Sequence, residues 1–224
     1  GRGNELLLPY PASVLRALAG LAGTEEFWAA VLASLGRITL GLAGGLCLGG
    51  LLAVLTCASP WADRLLSPAV RVVRAAPVAS FILLVLLWTG RAAVPGVIAA
   101  LMVIPVVWDS LSQGIRAVNK GLLELARVCR FSPGKTAVLI YLPSLRPQLL
   151  AALTTAAGLA WKSGVAAEVL CLPEPALGQR IYYAKYNLEI PELFAWTAVT
   201  AGLSMLLERL LRVCAARWGR GWSE

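Results

Sequence analysis

Five windows of mostly apolar residues, at about 29–56, 69–88, 93–112, 147–168 and 192–211, decide what this 224-residue chain can fold into. Each offers roughly the 20 residues that an α-helix needs to cross about 30 Å of hydrocarbon. Lipid gives backbone N–H and C=O groups no partner, so the windows must be helices that satisfy their own backbones. Composition agrees: 58% hydrophobic residues, 14% charged residues and a mean hydropathy of +0.74 lie far from a soluble domain. The expected fold class is all-α, a polytopic membrane helical bundle forming one domain over 1–224, without low-complexity tracts or a clear internal repeat.

Basic residues orient the bundle. Thirteen of the 20 Lys and Arg side chains fall on one side of the spans, at 64–74, 113–146 and 209–220. Arg2, Arg16, Arg91, Arg180 and Lys185 fall on the other, and Arg37 and Lys162 lie within spans. Short cytoplasmic loops carry the excess of Lys and Arg, which places 113–146 and the C-terminus in the cytoplasm and the N-terminus outside. The net charge of +8 is then a topology signal with no nucleic-acid footprint behind it. An external N-terminus that starts at Gly1, with no preceding signal, predicts a further span upstream. Residues 10–26, with Pro11 at a helix start and Thr24 as a cap, read as an interfacial helix.

Between the third and fourth windows lies GLLELARVCRFSPGKTAVLIYLP, residues 121–143, a charged segment that must sit outside the hydrocarbon. The spacing predicts a helix over 121–130, about 15 Å long, capped by Asn119 and stopped by Ser132-Pro133-Gly134. Its apolar side is Leu122, Leu125, Val128 and Cys129. From the residues alone it either rests on lipid or presents that side to a partner. The run Pro133-Gly134-Lys135-Thr136 imitates the end of a phosphate-binding loop, but Cys129 occupies the first glycine position and no strand precedes it, so ATP binding here is excluded.

The register of this segment resembles the cytoplasmic loop of bacterial ABC importer permeases, which reads Glu-Ala-Ala, a Gly six residues after the Glu, then Ile-x-Leu-Pro. Glu124, Ala126, Ile140, Leu142 and Pro143 fall on it, while Leu125 and Arg130 replace the second motif residue and the Gly. The likeness runs from about residue 9 to 214. It includes LLPYPASVL and GLAWKSGVAAEVL, where Ala-Trp followed by Ala-Ala-Glu is common in permeases for nitrate, sulfonates, taurine and thiamine precursors. The resemblance implies a type I ABC importer permease-like fold with five spans in this stretch and a sixth before it. It implies that the cytoplasmic coupling loop, 119–135, docks on an ATPase through Leu122, Glu124, Leu125, Ala126, Val128, Arg130 and Phe131. Implied partners are two ATPase (nucleotide-binding) subunits, a second permease copy, an external substrate-binding protein and membrane lipid. ATP and magnesium would belong to the ATPase, leaving this chain no cofactor, no metal and no catalysis. The implied location is the bacterial inner membrane, multi-pass. In the family, outer connections such as 171–191 meet the binding protein; a solvated connector is the plainer reading.

Charges inside spans are costly and mark function or pairing. Arg37 either snorkels outward or faces the protein interior. Asp109 lies near the cytoplasmic end of its span. Lys162, roughly 20 Å along a helix from Arg146, falls in the outer half, where a translocation path would run. Trp161 and Glu168 share a helix face that Lys162 does not. The candidate path residues are therefore Arg37, Trp161, Lys162 and Glu168. Gly41, Gly45 and Gly49, four residues apart, make a smooth strip for a neighbouring helix or, alternatively, a homodimer seam. Pro68 and Pro77 predict kinks in the second window. The five cysteines are scattered without a C-x-x-C pair and read as apolar fillers, and the absence of His removes hydrolytic triads and most zinc sites. The basic residues Arg37 and Lys162 suit a small anion such as a sulfonate or nitrate; the eight Trp residues leave a thiamine-precursor-like heterocycle open. A gradient-driven secondary transporter would show repeated halves or broken helices, and an intramembrane scaffold or enzyme a soluble lobe or catalytic cluster.

Overall fold

The computed structural model describes residues 9–220, with side chains through 213. Arg2 and the side chains of Cys214, Arg217 and Arg220 lie outside the described residues. Every regular element described is helical. Helix α1, Pro11–Ala22, begins with its Pro at the first position as expected and packs on the last helix of the chain. Thr24 caps the next helix instead, accepting the Phe27 N–H at 3.3 Å, and Glu25 and Glu26 follow in the positive first turn. That helix, α2, runs Glu25–Ala58, and its 34 residues reach about 51 Å.

The glycine strip of α2 packs inside the chain, against α5, Val94–Arg116. A Cβ at Gly45 would lie 2.7 Å from the Val103 Cβ, and one at Gly49 would lie 2.8 Å from the Ile104 oxygen. Only residues without side chains let the two backbones come this close. Gly41 faces Gly96, Gly45 faces Val103 and Gly49 faces Val107, so α2 and α5 run parallel. The chain must return between them, and it does so through α3, Pro60–Ala75, and α4, Val78–Trp88.

This return departs from the expected span over 69–88. The two helices meet at an angle of 109° across Ala76 and Pro77. Pro77 forces Ala76 out of the helical region, to φ −78° and ψ 145°, which ends α3. Pro68, by contrast, sits inside α3 without ending it. Four helices are long and apolar enough to cross a membrane, or five if the bent pair counts as one.

After α5 come α6, Lys120–Val128, the short α7, Pro133–Thr136, and a π-helical turn over Ala137–Tyr141 that leads into α8, Leu142–Cys171. Ser132, Pro133 and Gly134 therefore start a helix, contrary to the expected stop: Ser132 Oγ accepts the Lys135 N–H, and Pro133 takes the first position. The fourth span begins accordingly earlier than residue 147. Helix α8 runs antiparallel to α2 and α5, with Gly164 against Ile38 and Gly114 of α5 against Leu145. Its face toward them is small: Ala152, Ala156, Ala160 and Ala167 are fully or almost fully buried. The outer connection folds into α9, Leu177–Tyr186, and α10, Ile190–Arg220, closes the bundle antiparallel to α8. The turn between α2 and α3, the α6 segment and the C-terminal end of α10 thus share one end of the bundle.

Candidate functional site

Three places gather the polar and exposed groups that packing alone does not need. The first is α6. Asn119 caps it as expected, its Oδ1 accepting the Gly121 N–H at 2.8 Å. Leu123 and Ala126 hold the helix down on Val118, Ile140 and Tyr141. Its other side is open, with Leu122 43%, Leu125 58% and Val128 80% exposed and Glu124, Arg127, Arg130 and Phe131 also at the surface. Of the coupling residues expected from sequence, only Ala126 turns inward. The helix ends in a Schellman turn: Phe131 N–H donates to the Ala126 carbonyl at 2.9 Å and Arg130 N–H to Arg127 at 3.0 Å. Arg130 lies at φ 53°, a left-handed conformation that suits Gly, the residue the family pattern has there.

The second place joins Arg37 and Glu168, which sequence reasoning weighed separately. Their side chains meet at 3.3 Å, the carboxylate fully buried. Ser34 Oγ donates to Glu168 Oε2 at 2.8 Å, and the Gly178 N–H donates to the same oxygen at 3.1 Å. The Leu177 N–H donates to Ser34 Oγ at 2.9 Å, and the second guanidinium nitrogen of Arg37 donates to the Pro175 carbonyl. Glu168 thus holds the N-terminus of α9, whose positive end favours a carboxylate. Gly178 is required here, since a Cβ would come 2.5 Å from that of Glu168. Arg37 faces the protein interior and belongs to a satisfied knot tying α2, α8 and the outer connection together. Trp161 is also interior, 1% exposed, with its indole N–H donating to the Thr200 carbonyl at 3.0 Å.

Lys162, the remaining path candidate, stands apart from these three. It is exposed on a groove between α8 and α10, and no hydrogen bond or ion pair holds it among the described residues. Two connected hollows make up the groove. One, of about 490 Å³, is lined by Trp161, Lys162, Thr197, Ser204 and Glu208 among others. The next, of about 500 Å³, continues past Thr154, Thr155 and Gly158 to Arg212. Along α10, residues 197, 201, 204, 208 and 212 follow helical spacing and form one polar or small-residue face. Glu208 lies against the bare backbone of Gly158, 2.7 Å from where a Cβ would be, and pairs loosely with Arg212 at 3.9 Å. Sequence reading passed over Glu208, although a carboxylate inside the 192–211 window was signal enough.

Among the described residues no group of His, Cys, Asp and Glu could hold a metal ion, and Cys47, Cys57, Cys129 and Cys171 are free thiols. The family profile of the binding-protein-dependent transport system inner membrane component matches residues 45–219. The taurine transport system permease protein TauC of Escherichia coli (strain K12) is 28% identical over 221 residues, covering 96% of this chain and 80% of that protein. The bicarbonate transport system permease protein CmpB of Synechocystis sp. is 30% identical over 185 residues, covering 82% of this chain and 65% of that protein. The putative aliphatic sulfonates transport permease protein SsuC of Escherichia coli (strain K12) is 29% identical over 73% of this chain, which spans 63% of it. In fold, the chain is similar to a crystal structure of an amino acid ABC transporter with histidines, at a TM-score of 0.69 and 17% identity over 91% of this chain and 96% of that one.

Proposed function

Because this chain belongs to the family of inner-membrane components of binding-protein-dependent transport systems, we propose that two copies of it enclose a path for a small anion and couple that path to two ATPase subunits through α6. At the coarser level it is an ABC importer permease, a multi-pass membrane subunit whose ATP hydrolysis resides in partner subunits. An external binding protein delivers the solute, and the α6 end of the bundle, with the C-terminal end of α10, faces the cytoplasm.

The observation that carries the coupling reading is the unpartnered side of α6. Leu122, Leu125 and Val128 stand exposed on a charged helix that two small contacts fasten to the bundle. An exposed apolar face of this kind, rimmed by charges, marks a surface that a partner covers. For the path, Lys162 in the α8–α10 groove supports an anion: its ammonium forms no ion pair within 4 Å among the described residues, and Glu208, the carboxylate in the same groove, lies 3.9 Å from Arg212. Relatives are named for taurine, aliphatic sulfonates and bicarbonate, solutes that each bear an anionic group, which agrees with that charge. Arg37 and Glu168 are assigned to holding the outer elbow, and Trp161 to the floor of the groove.

The test replaces Glu124 by Ala and Leu125 by Arg together, in the assembled transporter in proteoliposomes. Uptake should fall at least tenfold while the permease remains in the membrane with an unchanged thermal midpoint. Normal uptake by that variant sinks the coupling reading.

A further inference from the structure

Helix α3 has no part in the path or the coupling surface, and its two faces differ sharply. Asp63, Ser67, Val70 and Arg74 recur at helical spacing on the inner face. Asp63 meets Arg116 of α5 at 3.2 Å, Arg74 meets Asp109 of α5 at 3.1 Å, and Val70 is buried beside Trp108. On the opposite face, Trp61 is 80% exposed, Leu65 70% and Val72 65%. Arg64 and Arg71, seven residues apart, share one flank of that apolar stripe and form no ion pair within 4 Å among the described residues, although Arg71 also borders the small hollow that holds Asp63, Asp109 and Arg116. The local charge is unbalanced: Arg64, Arg71, Arg74 and Arg116 stand against Asp63 and Asp109, a surplus of two positive charges.

We propose that α3 is a docking surface for the headgroups of anionic lipids at the α6 end of the bundle. The 109° elbow at Ala76 and Pro77 turns α3 off the axis of α4, and the pairs Asp63–Arg116 and Arg74–Asp109 fasten it beside the last turns of α5. There the exposed stripe of Trp61, Leu65 and Val72 meets the boundary between headgroups and acyl chains. Arg64 and Arg71 extend from the flank toward phosphates, their stems lying along the apolar surface. A helix facing water would not expose three large apolar side chains, and one facing acyl chains alone would not carry two unpaired guanidinium groups beside them. The two ion pairs to α5 fix the rotation of α3 about its axis, so the apolar face is held outward. The assignment of this leaflet to the cytoplasm rests on the orientation proposed above; the lipid contact itself does not.

The experiment uses the full chain in phosphatidylcholine nanodiscs with and without phosphatidylglycerol. Native mass spectrometry of the released protein should show phosphatidylglycerol retained in preference to phosphatidylcholine. Each arginine near an anionic surface contributes roughly fivefold to that preference, so Arg64→Gln with Arg71→Gln should lower it about 25-fold. Because neither residue is in an ion pair within 4 Å, and Arg71 meets Asp63 only through space, the thermal midpoint in phosphatidylcholine should fall by no more than a degree or two, and Arg64→Gln alone should leave it unchanged. A second readout leaves the arginines intact: the fluorescence lost on Trp61→Phe is compared in lipids brominated at shallow and deep acyl positions. Strongest quenching by shallow bromines is expected. Equal phosphatidylglycerol retention by the double variant overturns the proposal. So does a Trp61 that no bromolipid quenches, which would mean a second copy or an ATPase covers α3, or one quenched best from deep positions, which would make α3 part of a true span.

Discussion

Removing the Arg37 charge while leaving Glu168 in place should be among the most damaging single changes in this chain. In Arg37→Met the Glu168 carboxylate keeps the Ser34 hydroxyl at 2.8 Å and the Gly178 N–H at 3.1 Å but loses its countercharge, and no solvent reaches it. Breaking one side of a buried pair costs about 3–5 kcal/mol, far more than the pair is worth against a neutral replacement. At about 2–4 °C per kcal/mol for a chain of this size, the thermal midpoint should fall by roughly 10 °C. Glu168→Gln should cost less, about 1–2 kcal/mol, because Arg37 is 18% exposed and still donates to the Pro175 carbonyl. The double variant, Arg37→Met with Glu168→Gln, should recover most of the loss, since an amide accepts from Ser34 and Gly178 without needing a cation. Thermal unfolding of the four proteins in one detergent closes the cycle, with a coupling of about 2 kcal/mol or more expected. Additive losses, or a midpoint for Arg37→Met within a degree or two of the parent, would refute the buried-pair account.

Lys162→Met should reduce anion uptake in the assembled transporter at least tenfold with no change in thermal midpoint; unaltered uptake returns Lys162 to the surface without a role. Gly45→Val should lower stability by more than about 2 kcal/mol because the added atoms meet Val103, whereas Gly44→Ala, with nothing within 4 Å, should be neutral or stabilising by up to about 1 kcal/mol. Detergent unfolding of the two variants side by side checks this, and equal effects would contradict the packing of α2 on α5. Arg130→Gly should relieve about 1 kcal/mol of left-handed strain, seen as slower hydrogen exchange at Phe131, and faster exchange there would contradict the Schellman turn.

The spans were legible in the sequence wherever a whole helix is apolar. The window at 29–56 became α2 with a few residues added at each end, the window at 93–112 became α5 with four added at its C-terminal end, and the glycine strip found its partner inside the chain. The window at 69–88 hid a bend, because averaging merged two helices of different character. Arg71 and Arg74 in its first turns were the warning, and Pro77 marked the break. Loop residues failed in a related way: Ser132-Pro133-Gly134 can end one helix or begin another, and only the cap on Lys135 decides. The Arg37–Glu168 pair could not be read, since 131 positions separate two residues that tertiary packing alone brings together. Lys162 stands out in sequence as a charge inside an apolar span, well along the helix from Arg146, and Glu208 is a charge of the same kind in the 192–211 window.

The parallel packing of α2 on α5, with α8 laid antiparallel across both, makes a three-helix keel in which glycines and alanines bring the helices close and the larger side chains are interlocked, Ile38 against Gly164 and Leu145 against Gly114. Such a seam leaves its side chains little room to change rotamer and take up a slide. Any motion that opens one side of the bundle must carry the keel as a single block, with the elbow at Pro77 and the polar seam of α10 as the compliant edges. Tolerance to substitution should be divided in the same way, narrow along the keel and broad along the flanks, whatever solute passes beside it.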